Sequence, residues 1–120
     1  MNLQAILPEH RPYVCLLVHV TATIKRFVTT ALREDAGEAW GTKWTRAATA
    51  RAGVQSIRDM LYRLVDILAL EGATAKAVIQ EVRSGIDEAT RAEVAIRAHM
   101  QSIDPVPADP CGTLPGRLVE

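Results

Sequence analysis

The sequence predicts an all-α fold, a bundle of three helices, on three observations. Apolar residues recur at helical spacing over three long stretches. Alanine is abundant while the chain holds one Phe, two Tyr and two Trp, a balance that suits close-packed helices better than β-sheets. The strongest breaks, at residues 35–42, at 70–74 and from residue 104, fall between those stretches.

The central stretch is Val54 to Leu70. Val54, Ile57, Leu61, Leu64 and Leu68 alternate at steps of three and four, with Met60, Val65 and Ile67 beside them. On a helical wheel they fill an apolar arc of roughly 160°. So wide an arc is expected to meet two neighbours.

Pro12 opens the first helix, which is expected from Tyr13 to about Glu34. Tyr13, Leu16, Leu17, Val20, Ile24, Phe27, Val28, Ala31 and Leu32 share its apolar face. Residues 35–42, DAGEAWGT, break the pattern. The second helix then starts either at a capping box of Asp35 and Glu38 or at Thr42 or Thr45, and the spacing leaves these open. It ends at Leu70-Glu71-Gly72, where Gly72 fits the left-handed position past a helix end. Thr74 is the expected cap of the third helix, about Ala75 to Ser102. A connection this short makes helices two and three an antiparallel hairpin. The third helix carries Ala75, Val78, Ile79, Val82, Ile86, Ala89, Ile96, Met100 and Ile103 on its stripe, with Gly85 and Ala92 flanking it. Residues 104–120 hold four prolines and two glycines, which predicts an extended or disordered tail, docked through Leu114, Leu118 and Val119 where it touches the bundle. The domain reading is a lead over 1–11, a bundle over 12–103 and a tail over 104–120.

One domain of 120 residues, 48% apolar and 23% charged, is an ordinary globular chain. Fourteen basic and fourteen acidic residues cancel, so it has neither the global field of a nucleic-acid binder nor the excess negative charge of a DNA mimic. Cys15 and Cys111 lack metal-ligand spacing, and no signal peptide or bilayer-length apolar run is read. The expectation is a reduced, cytoplasmic setting with no membrane. His10, His19 and His99 stand singly and read as surface residues. No phosphate loop, nucleophile elbow or carboxylate pair at a pocket is found, so no enzyme, cofactor or metal is expected.

Two features stand out. Glu93 lies at the centre of the third stripe, where a carboxylate must be paired or protonated. It reads as an ion pair with a neighbouring helix, Lys25 or Arg46 being the candidates, or as a group that specifies an interface. Trp40 and Trp44, both tryptophans of the chain, stand one helical turn apart beside a loop. They read either as interface anchors or as a cover over the end of the core. With Arg46 and Arg51 they make the candidate partner-binding set.

Two motifs invite comparison with families. The Trp40-Gly41 pair departs from the Trp-x-Gly of the small secreted helical hairpins that carry it, and that family's Tyr-x-x-x-Asp/Glu spacing falls mid-helix here, at Tyr62 and Asp66. Residues 52–62, AGVQSIRDMLY, resemble the Ala-Gly-Val-Ser…Leu-Tyr signature of tetracycline-repressor-type regulators, with two more residues between Gly53 and Tyr62. That resemblance implies a turn at Gly53 and a short recognition helix; the long apolar face of Val54 to Leu70 argues against both. The expected function is therefore non-catalytic: an adaptor, regulator or inhibitor, bacterial and possible on a phage or plasmid, that binds another protein and forms a homodimer to complete a larger bundle. The alternative is a DNA-binding regulator using the basic segment 43–63.

Overall fold

Residues 6–103 are described by the computed structural model. The predicted tail, with Leu114, Leu118, Val119 and Cys111, lies outside the described residues. The fold is all-α, and no strand occurs among the described residues.

The first helix, α1, spans Arg11–Ala31 and is entered through a 3₁₀ turn at Pro8–His10. Pro12 falls in its first turn, where a missing N–H removes no helical hydrogen bond. Val14, Leu17, Val20, Ile24 and Ala31 are buried, and Tyr13, Phe27 and Val28 pack on them half-buried. Leu16 and Leu32 are exposed instead of buried. Leu16 lies at the edge of the arc, and Leu32 follows the last helical residue. By length and composition alone, Pro8–Ala31 would suffice to cross a membrane, with a mean hydropathy of 1.3; here it forms one wall of the core.

Residues 6–10, just before α1, pack on the body of the fold. Ile6 is buried, and so is His10, contrary to its expected surface position. The 3₁₀ turn folds His10 onto the bundle end, where its Nε2 lies 2.7 Å from Glu71 Oε1. Burial there is tolerated because the ring keeps a hydrogen-bond partner.

The second helix, α2, runs unbroken over Trp40–Ala69. It starts before both candidate threonines: Ala39 is the flanking residue and no side chain caps it. Between α1 and α2, Gly37 holds φ +78°, a conformation that favours glycine. Ala47, Ala50, Val54, Leu61 and Leu68 are buried, while Ile57, Leu64 and Val65 are half-buried. Met60 and Ile67, on the far side of the predicted arc, are exposed.

No turn occurs at Gly53. A Cβ placed there would meet the Phe27 ring, 2.6 Å from Cζ, so the residue makes room for a side chain of α1. Gly53→Val is expected to cost about 1–3 kcal/mol through overpacking. In a Phe27→Ala background the same change should be neutral or stabilising, since valine is the better helix former. Equal costs in both backgrounds, measured by urea denaturation, would show that the ring is not the obstacle.

The chain reverses at Gly72, with φ +76°, passes through a 3₁₀ turn at Gly72–Ala75 and continues as α3, Lys76–Ile103. Thr74 does not cap α3 as predicted. Its hydroxyl donates to the Glu71 carbonyl at 3.2 Å, closing the end of α2 instead. Ala75, in the turn, is buried, as are Val78, Val82, Gly85, Ile86, Ala89, Ala92, Glu93, Ile96 and Met100 along α3, while Ile79 and Ile103 are half-buried. Gly85 faces Leu61 and Leu17, with a Cβ there 3.4 and 3.5 Å from their methyls.

Cross-helix contacts give the directions. Leu61 meets Gly85, and Arg51 meets Glu93, so α2 and α3 run antiparallel. Phe27 lies over Gly53, and His10 reaches Glu71, so α1 is antiparallel to α2 as well. The three helices run up, down and up around one core.

Candidate functional site

Trp40 and Trp44 occupy the first turns of α2 and are 54% and 42% exposed. About half of each residue is open to solvent, and Trp44 lies beside the core residue Met100. Trp40 borders a cleft of about 300 Å³ with Glu34, Glu38, Lys43 and Ser102. Trp44 borders a second of about 290 Å³ with Arg51, Arg97, Met100 and Gln101.

Arg46 has a structural task. Its Nε donates to the Thr30 carbonyl at 3.1 Å and one Nη to the Arg33 carbonyl at 2.9 Å, while both Nη atoms bond the Glu38 carboxylate. It ties the end of α1, where the Thr30 carbonyl also accepts from the Arg33 N–H, to the first turns of α2. Donation from Arg46 holds the Glu38 carboxyl below its ordinary range, and the carboxylate in turn raises Arg46. With its side chain only 12% exposed, Arg46 offers a partner little. Arg46→Ala is expected to speed amide exchange over residues 30–43 and leave residues 54–68 protected; a uniform change across both segments would contradict this local role.

Glu93 is buried, as its place on the stripe requires, but its partners are neither Lys25 nor Arg46. Arg51 Nε donates to Oε2 at 2.8 Å, and an Nη of Arg58 lies 3.5 Å from Oε1. Residues 51 and 58 are two turns apart on α2, so both point across the same α2–α3 seam. Lys25 lies instead on the α1–α3 side, beside Glu81 and Glu88. Burial pushes the Glu93 carboxyl up, yet donation from Arg51 and the charges of Arg51, Arg97 and Arg58 outweigh it and hold the group below its ordinary value.

Sequence reasoning named Trp40, Trp44, Arg51 and Glu93 but not Arg58 or Arg97 as parts of one cluster. The signal available was the arginine spacing at 51 and 58 opposite the stripe position 93. Trp44, Arg51 and Glu93 come together at the α2–α3 seam, Trp40 faces the neighbouring cleft, and Arg46 turns inward to α1. Elsewhere, two furrows of about 420 and 470 Å³ follow the α1–α3 side, past Val18, Ala22, Lys25 and Glu88. His99 Nε2 is buried without a hydrogen bond, 3.5 Å from Glu34 Oε2. Cys15 is exposed. Among the described residues no three His, Cys, Asp or Glu side chains stand together as a metal site would need. Compared with protein-family models, with curated proteins and with solved structures, the chain matches none.

Proposed function

We propose that the protein is a non-catalytic helical module that binds another protein through the Trp40 and Trp44 end of α2. The observation that carries this reading is the pair of half-exposed indoles on a rigid helix, one turn apart. Large aromatic side chains left in water on a rigid element are the type that anchors interfaces. The test is capture of partners from a lysate of the native host with the wild type and with Trp40→Ala and Trp44→Ala. The expected result is a partner held by the wild type and lost by the double variant while its helical signal persists. Unchanged capture would remove the anchors from the proposal.

A homodimer belongs to the same proposal, with a second copy laid along the α1–α3 furrows to complete a larger bundle. Val18 is 59% exposed there, and Lys25 faces Glu81 and Glu88 across the furrow, a charge pattern that a two-fold axis can satisfy on both copies. A monomeric mass in sedimentation at micromolar concentration would count against it. The cytoplasmic setting remains part of the reading.

The competing proposal, a DNA-contacting regulator using residues 43–63, has weaker support. The helix passes straight through Gly53. Lys43 pairs with Glu34 and Arg46 with Glu38, while Arg51 and Arg58 share the one carboxylate of Glu93, so the strip offers no continuous run of unpaired cations.

A further inference from the structure

The α2–α3 seam beside Trp44 holds more positive than negative charge. Arg51, Arg58 and Arg97 all act on Glu93, and Glu93 is the one carboxylate that pairs with any of them among the described residues. Three cations against one anion leave two positive charges at this place in a chain whose net charge is zero. The surplus is local: upstream, Lys43 and Arg46 have carboxylate partners of their own.

The donors are also available. Arg51 reaches Glu93 through Nε, so its two Nη groups have no protein acceptor among the described residues. Arg97 is exposed and makes no hydrogen bond or ion pair among them. These guanidinium groups line the cleft of about 290 Å³ together with the Trp44 indole, Met100 and Gln101. A planar guanidinium presents paired N–H groups that match a carboxylate, and Arg51 already holds one carboxylate in place. The bond to Glu93 fixes the Arg51 side chain beforehand, so less rotamer freedom is lost when a ligand arrives.

We propose that this furrow docks an acidic segment of the partner protein, with carboxylates on Arg51 and Arg97 and an adjacent apolar side chain on Trp44 and Met100. The proposal rests on the protein-binding reading above and adds the chemistry of the partner. A peptide fits better than a nucleic acid because the charge is confined to one furrow and an apolar floor adjoins it. Phosphate tracking needs a longer run of unpaired cations.

The test uses the full chain carrying Trp40→Phe, so that Trp44 is its sole indole. The probe is a synthetic amphipathic helical peptide with glutamates one turn apart beside leucines. A second peptide has glutamine at each glutamate, and a random duplex DNA completes the set. Trp44 fluorescence is expected to saturate with the glutamate peptide in low salt and to respond far less to the glutamine peptide. Arg97→Ala, a surface change that leaves Glu93 its two direct partners, should weaken binding about tenfold, the order expected for losing one charge-assisted contact. Equal binding of the two peptides, no binding of either at millimolar concentration, or tighter binding of the DNA would each overturn the proposal. A captured native partner that depends on Trp44 but is indifferent to Arg97→Glu would overturn the acidic partner and leave protein binding standing. Capture that ignores both tryptophans would remove the broader reading.

Discussion

Leu61→Ala is expected to destabilise the chain by about 3–4 kcal/mol, within the range for large-to-small changes in a closed core. Leu61 is fully buried. Its Cδ1 faces Gly85 of α3, and Leu17 of α1 reaches the same glycine from the other side, so the side chain fills the junction of all three helices. Gly85 has no side chain that could move in to fill a void, so a cavity would persist after truncation. A domain of this size has a total stability on the order of 5–15 kcal/mol, so the loss is a large fraction of it. The midpoint of thermal unfolding should fall by about 15–25 °C. Ile67, on the same helix and apolar arc, is 58% exposed. Ile67→Ala should change stability by less than about 0.5 kcal/mol. The pair of variants, followed by circular dichroism against urea and temperature, separates core from surface on one helix. Similar losses for the two would mean that the rotation of α2 in the bundle is not the one described.

The contrast between Leu61 and Ile67 also marks how far the sequence could be read. Helical spacing placed both on one arc, because periodicity reports which residues share a side of a helix. How much of the arc is covered depends on where α1 and α3 lie, and these leave Met60 and Ile67 in water. Gly72 was legible because a positive φ past a helix end is a local demand. Gly53 was not: its task is to admit Phe27, from twenty-six positions upstream. Ile6 and His10 were missed because prolines separate them from the periodic stretch, and their burial depends on a bundle end built partly by Glu71. For the site, the stripe identified Glu93 as buried but could not choose among the cations on two other helices. A seven-residue spacing such as Arg51 and Arg58 favours one seam, yet only the crossing of α2 over α3 sets which seam that is. The exposure of the tryptophans was likewise undecidable, since a loop and a first helical turn at residue 40 leave the rings in different places.

That cluster gives the second large effect, and the effect shrinks as the pH falls. Arg51→Ala combined with Arg58→Ala is expected to cost about 2–4 kcal/mol at neutral pH, because a buried carboxylate then loses both direct partners. The side chains of Arg51 and Arg58 keep 31% and 23% of their exposure, so water screens part of the interaction and the figure lies toward the low end of measured values for fully buried pairs. In the wild type the folded Glu93 carboxyl sits below its ordinary value near 4.5. A depressed carboxylate contributes stability above its unfolded value, and that contribution is lost as the pH falls through the folded value. From this group, wild-type stability should therefore be flat from pH 7 to about 5 and decline below about 4.5. Without the two arginines, burial raises the folded value above the unfolded one. The folded state then binds the proton more readily, and lowering the pH from 7 to 5 should restore part of what the double variant lost. Glu93→Leu tests the same account from the other side. It should be neutral or slightly stabilising, since both arginines are exposed enough to turn toward water, and it should remove the acid-side decline that Glu93 contributes. Stability curves against pH for the three proteins decide the matter. A double variant whose stability falls in parallel with the wild type on acidification would show that Glu93 does not depend on Arg51 and Arg58 for its charge.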